Sequence, residues 1–333
     1  MWRPSPERVA TTNLVRFAEQ VGAHLGHEAT EVIESDSIAP LHEWSIREPS
    51  EFWSELWDFC DVRASQPATE VVDDPTRMPG ARWFSGSRLN FAENLLADRH
   101  VAERRPQAIV AWNEDGPTTS VTWADLRVQV AHFAAGLQRA GVAPGDRVAG
   151  FLPNIPEAVI AMLATSSLGA MWSSSSPDFG VDGVLDRFSQ IEPKVLVCAR
   201  GAMWNGSWMG SLERVRAISE RLPSLGAVVV ADYGGKAGSG DLVGIPHAIP
   251  WNEFASPSDQ PTPDFAQLPF DHPLYVLYSS GTTGIPKCIV HGQGGTLIQH
   301  LKEHVLHCDL RPGDTLFYYT TCGWMMWHWM VSA

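Results

Sequence analysis

The chain has 333 residues, of which 44% are hydrophobic and 19% charged, and its formal net charge is −14. This composition excludes an intrinsically disordered chain, and the length allows about two ordinary domains. A broadly acidic surface argues against nucleic acid or an anionic membrane as partner, so an anionic small molecule would need a local pocket.

Residues 1–100 carry helix signals and few strand signals. Ser5 precedes Pro6 as an N-cap, and Ser50 is the expected cap of a second helix with Trp53, Leu56 and Trp57 at helical spacing. That aromatic stripe reads as packing surface. The start of the chain lacks an apolar core with a small-residue cleavage site, so no secretion signal is expected. The stretch VVDDPTRMPGARWFSGSRLNFAENLL then reads as an irregular connector into a short helix.

From residue 108 the pattern becomes an α/β alternation. AIVAW is a strand, TWADLRVQVAHFAAGLQRAG an amphipathic helix, and PGDRVAGFLPN a turn and strand. IPEAVIAMLATSSLGA and GVDGVLDRFSQI are helices, PKVLVCA a strand, SLERVRAISERL a helix and GAVVVAD a strand. Residues 233–272 are rich in Gly, Pro and Asp, have little periodicity, and read as a connection between subdomains. The unit of helix, Pro-Gly-Asp turn and strand recurs, with Pro144 and Pro312 in corresponding places. It is explained either by two similarly wound subdomains or by the commonness of such turns. Neither IPEAVIAMLATSSLGAMW nor CGWMMWHWMVSA is long and apolar enough to span a bilayer, so both read as buried helices. Cysteines 60, 198, 288, 308 and 322 form no CxxC pair and read as reduced thiols, which fits a cytoplasmic location.

The segment YSSGTTGIPK, residues 278–287, stands between the strand candidates Leu274–Tyr278 and Cys288–Val290. Gly281 and Gly284 let backbone N–H groups turn inward, and Ser279, Ser280, Thr282 and Thr283 add hydroxyl donors. Lys287 adds a mobile positive charge, so the whole suits a polyphosphate. It is not a Walker loop, because Gly281 and Gly284 are too close and Pro286 precedes the lysine.

This segment resembles the phosphate loop of the adenylate-forming superfamily, whose pattern is Ser/Thr-Ser/Gly-Gly-Ser/Thr-Thr-Gly-x-Pro-Lys. EFWSELWDFC and WFSGSRLNFAENLL are similar to the leader of short-chain acyl-CoA synthetases, and TTCGWMMWHW is similar to the corresponding element of acetoacetate–CoA ligases. The resemblance implies an α/β fold: layered subdomains of the adenylate-forming large domain, incomplete over residues 101–333, behind a helical leader over residues 1–100. It implies ATP, Mg²⁺ and coenzyme A as cofactors, acetoacetate as the small-molecule substrate, and catalysis through an acyl-adenylate. Ser279, Ser280, Gly281, Thr282, Thr283, Gly284 and Lys287 would bind the phosphates, Thr282 and Lys287 acting in catalysis. Trp324, Met325 and Met326 fall where the family lines its acyl pocket, though core packing explains Met and Trp equally well. The family's ribose-binding Asp and its lid with a catalytic lysine find no match, so the chain reads as an inactive N-terminal portion. Related enzymes present arginines to the CoA phosphates from the stretch corresponding to ARGAMWNGSWMG, where only Arg200 is available, so no CoA site is assigned.

A short-chain acyl-CoA synthetase for acetate, propionate or butyrate is the alternative within the family, and two rival readings stand outside it. HLKEH at 300–304 fits a zinc-hydrolase pattern, with His300 and His304 as ligands and Glu303 as base, although Leu297, Ile298, Leu301 and Val305 make it an ordinary amphipathic helix. A nucleotide-binding module without catalysis is the other.

Overall fold

The computed structural model describes residues 4–25, 38–97, 105–233, 242–257, 263–279 and 284–333. Its central feature follows from the apolar runs. β1 (Arg147–Phe151), β2 (Met171–Ser175), β3 (Val195–Ala199), β4 (Ala227–Ala231), β5 (Ala248–Pro250), β6 (Pro273–Ser279) and β7 (Lys287–Gly292) form one sheet in the order β5-β4-β3-β1-β2-β6-β7. β1 to β6 run parallel and β7 closes one edge antiparallel. Every residue of β3 and β4 is buried, as expected of parallel strands covered on both faces.

The helices between strands supply that cover. α1 (Trp123–Arg139) starts at Thr122, whose hydroxyl accepts from the Asp125 N–H at 3.1 Å. α2 (Pro156–Ser167) begins on proline, whose missing N–H costs nothing there. Both pack with α5 (Gln293–Leu301) and the leader on one face of the sheet, around Val148, Trp172 and Val229. α3 (Val181–Phe188) and α4 (Leu212–Glu220) cover the other face, around Phe151, Leu196 and Val228. The leader residues Phe17, Trp44, Leu56 and Phe84 belong to the first of these cores, continuous with the sheet.

Several elements differ from the expectation. Ser50 does not cap its helix, which spans Pro49–Phe59 and starts on proline at its first position, leaving Ser50 inside. β2 lies next to the centre of the sheet although MWSSS has no apolar alternation. Its serines take over bonds that the pairing leaves unmade: β2 and β6 share only the register pair Tyr275↔Trp172, and Ser173 Oγ donates to the Val276 carbonyl at 2.7 Å. β5 emerges from the supposedly unstructured 233–272 passage. Gly116–Thr122 forms a hairpin with Gln107–Asn113. Of the repeat, the turns recur: Asp146 accepts from the Ala143 N–H at 2.7 Å and Asp314 from the Arg311 N–H at 2.9 Å. Only the first turn leads into a strand, since residues 315–320 have no regular structure.

Two buried carboxamides join the leader to the sheet. Asn90 Nδ2 donates to the carbonyls of Ser166, Ser167 and Ala266 at 3.0, 3.1 and 3.0 Å, while its Oδ1 accepts from the Glu93 N–H at 3.1 Å as a helix cap. Gln293 Nε2 donates to the carbonyls of Leu89, Leu268 and Pro269 at 3.2, 3.2 and 2.9 Å, and its Oε1 accepts from the Phe91 N–H at 3.3 Å. The Ser166 and Ser167 carbonyls also accept from the Gly169 and Ala266 N–H groups, so loss of Asn90 strands the Ala266 carbonyl, at about 1–3 kcal/mol, and removes a cap, at about 1 kcal/mol. Asn90→Ala is therefore expected to lower unfolding stability by roughly 3 kcal/mol, read from the urea midpoint. Asn90→Asp, which keeps the cap but has no N–H for the carbonyls, is expected to rescue little of it at pH 7.

Candidate functional site

The carboxyl ends of parallel strands form the crevice where open α/β sheets bind ligands. β6 ends at Ser279 on this edge and β7 returns from Lys287, with Ser279 and Lys287 paired in register. The hydroxyl-rich segment thus joins two adjacent strands at the ligand-binding edge. Ser280, Gly281, Thr282 and Thr283 lie outside the described residues. Gly284 has φ +135°, a conformation that disfavours any side chain. Lys287 is exposed and Ser279 half-buried. The return strand is tethered by Gln190, whose Nε2 donates to the Pro286 carbonyl at 2.8 Å.

Side chains alternate along a strand, so Tyr275, Leu277 and Ser279 project to one face together with their cross-strand partners His291, Ile289 and Lys287. On that face lies a cavity of about 630 Å³. Tyr275, Leu277 and His291 wall it on the sheet side, Thr296, Gln299, His300 and Glu303 on α5 and its continuation, and Met325, Met326, His328 and Trp329 on α6 (Met325–Met330). Leu277 is two residues from Ser279, so the cavity starts about 7 Å from the Ser279 end of β6.

The segment before α6 is anchored at the carboxyl edge. Ser174 Oγ donates to the Cys322 carbonyl at 2.6 Å, and Trp327 Nε1 donates to Asn154 Oδ1 at 2.8 Å. Trp327 is fully buried. Trp324 is 64% exposed and is not part of the cavity wall, whereas Met325 and Met326 are. Three of the expected positions, Ser279, Lys287 and the Met325–Met326 pair, therefore share one side of the sheet. Sequence reasoning missed Tyr275, His291 and His328. The indole of Trp327 and the histidine beside it gave no separate signal within an aromatic run.

α5 continues as a wider π-helical turn over Lys302–His307, a feature often found at functional sites. Its histidines are engaged: His300 Nδ1 lies 2.8 Å from Ser332 Oγ, and His304 Nε2 lies 2.9 Å from the Trp329 carbonyl. His304 Nε2 must donate to that carbonyl, because a carbonyl only accepts. Among the described residues no three His, Cys, Asp or Glu side chains are placed to hold a metal.

Burial sets the charge state of this lining. It is the largest cause pushing His300 down to about 3, neighbouring histidines adding to it, and it pushes His328 down to about 4 against the opposing Trp324 carbonyl bond. Burial also lowers His291 and His304. An unfolded histidine takes up a proton near pH 6.5, whereas folded His300 and His328 do so only near 3 and 4, and His291 and His304 below their ordinary value. Between those values the unfolded state binds more protons, so stability is complete above about pH 6.5 and falls as the pH drops. The urea midpoint is expected to fall from pH 7 to pH 5, before carboxylates titrate, and the slope is expected to flatten in a His300→Asn, His328→Asn double variant.

Comparison with known proteins gives a consistent set of relatives. Residues 98–333 match the AMP-binding enzyme family and residues 38–95 the acetyl-coenzyme A synthetase N-terminus. Over its whole length the chain is 46% identical to acetoacetyl-CoA synthetase of Rattus norvegicus, covering 49% of that protein. It is 43% identical to a malonamoyl-CoA synthetase of Penicillium aethiopicum, covering 46% of it. The solved structure of acetoacetyl-CoA synthetase from Streptomyces lividans superposes with a TM-score of 0.88 at 44% identity, over 99% of this chain and 49% of that one. The chain thus spans about half the length of the relatives it matches.

Proposed function

Because the chain belongs to the AMP-binding enzyme family, we propose that it forms the substrate-activating portion of an AMP-forming acid–thiol ligase acting on acetoacetate. Residues 1–100 are the leader in this reading and residues 101–333 the adenylate-forming portion. The observation that carries it is the placement of Ser279 and Lys287 on the same face as the cavity walled by Met325 and Met326, at the carboxyl edge of the sheet. The names of relatives from animals and a bacterium support acetoacetate over acetate, propionate or butyrate.

The substrate carboxylate is itself the nucleophile. It attacks the α-phosphorus of ATP, the bond to the bridging oxygen of pyrophosphate breaks, and an acyl-adenylate forms. The thiolate of coenzyme A then attacks the acyl carbon and AMP leaves. The protein's task in the first step is to hold and neutralise phosphate charge. Ser279, Ser280, Thr282 and Thr283 supply hydroxyls, Gly281 and Gly284 leave backbone N–H groups open, and Lys287 supplies the charge. ATP enters as its Mg²⁺ complex. The acyl chain takes the cavity beyond Leu277, against Met325 and Met326, while Trp324 stands outside its wall.

ATP–pyrophosphate exchange by the full-length gene product, with acetoacetate, acetate and butyrate in parallel, tests the reading. The fastest exchange is expected with acetoacetate; no exchange with any acid would overturn the ligase assignment. Lys287→Ala is expected to lower adenylate formation by about 10²–10³-fold, in the range of losing one transition-state donor. Unchanged formation would remove Lys287 from the site.

A further inference from the structure

The tip of the β6–β7 pair is held from behind by the end of α3. Side chains alternate along the strands, so Tyr278 and Cys288, paired in register, project to the face opposite Ser279 and Lys287, where α3 packs. Gln190 lies just beyond α3 and reaches over to them. Its Nε2 donates to the Pro286 carbonyl at 2.8 Å and to the Asp186 carbonyl at 2.6 Å, and its Oε1 accepts from the Cys288 thiol at 3.5 Å. Carbonyls only accept and the thiol donates, so a single orientation of the carboxamide satisfies all three. On the companion strand the Tyr278 hydroxyl donates to the Arg187 carbonyl at 3.2 Å. Asp186 and Arg187 both belong to the last turn of α3, which thus grips both strands.

Pro286 and Cys288 are the chain neighbours of Lys287. One carboxamide therefore holds the backbone before the lysine and the side chain after it, while the alternation sends Lys287 itself to the face that carries the cavity. β7 lies at the edge of the sheet and, among the described residues, pairs with β6 alone, so Gln190 stands in for a neighbouring strand at this point. Ordering a long, exposed side chain on a free strand end costs entropy each time it binds, and fixing its backbone in advance removes part of that cost. We infer that Gln190 is a positioning residue for the activation step, acting through Lys287 to bring its ammonium group to the phosphates of ATP. The inference rests on the phosphate-binding reading of Lys287 above and adds to it a residue far outside the motif. Its effect falls on ATP and not on the acid, whose cavity begins further along β6 at Leu277.

The test is ATP–pyrophosphate exchange with acetoacetate by the full-length protein carrying Gln190→Met, which keeps the side-chain volume and removes the amide. KM for ATP is expected to rise about tenfold, the worth of the lost hydrogen bonds, while KM for acetoacetate and the urea midpoint stay at their wild-type values. A residue that merely supported the fold would move all three together. In a Lys287→Ala background the same substitution is expected to change nothing further, because the two residues act as one unit. An unchanged KM for ATP, an equal rise for both substrates, or effects that multiply in the double variant would overturn the inference. Wild-type exchange by Lys287→Ala would instead overturn the phosphate-binding reading beneath it.

Discussion

Two buried carboxamides, Asn90 and Gln293, hold the leader, the end of α2, the segment at 266–269 and the start of α5 in one cluster. Each spends its amide protons on three backbone carbonyls, and each uses its oxygen on an N–H at the start of the Phe91–Leu95 helix. Such groups are costly to bury and correspondingly specific once satisfied, because no other packing of the same segments supplies three carbonyls and an N–H at once. Beside Gln293, a methyl on Gly294 would sit 2.1 Å from the Phe270 ring, so α5 rests directly on that aromatic face. The position of α5 sets one wall of the cavity.

The far end of that wall is tied to the leader as well. The Asn13 N–H donates to Asp309 at 2.8 Å and Asn13 Nδ2 donates to the Leu310 carbonyl at 3.1 Å, just beyond the π-helical turn. The leader is therefore structural support for the site as much as an appendage, since its aromatic residues complete the core under α5 while its polar ones fix both ends of the helix and its continuation. The aromatic stripe of Trp53 and Trp57 takes the same role, Trp57 stacking on Phe84 with centroids 4.6 Å apart.

The site itself divides into two environments along one strand pair. At the tip, Lys287 is exposed and charged, suited to an anion that keeps part of its water. A few residues further in, the lining is mostly aromatic and sulfur-bearing, and burial denies its histidines their protons. A substrate with a charged end and a short, weakly polar end matches that gradient. The antiparallel register of β6 and β7 makes the two environments contiguous, for a shift by one residue would send Ser279 and Lys287 to the opposite face.

Much of this was legible in the chain. Apolar runs separated by amphipathic helices determined the parallel sheet, since strands covered on both faces need them, and the order of hydroxyls, glycines, proline and lysine marked the loop between β6 and β7. The serine-rich β2 and the short β5 were not legible, because their pairing is decided by neighbours: Ser173 bonds to β6, and β5 adds to an edge already made by β4. Met325 and Met326 were marked by their motif, and only the fold separates them from the exposed Trp324. His328 looked like one aromatic among several. The sequence by itself determined the layers and the hydroxyl- and glycine-rich connection between β6 and β7, both of which depend on local pattern. Tertiary structure alone decided that the His328 imidazole would be buried in a cavity wall, because that depends on one carbonyl and two aromatic rings brought together by α6 and β6 from opposite sides.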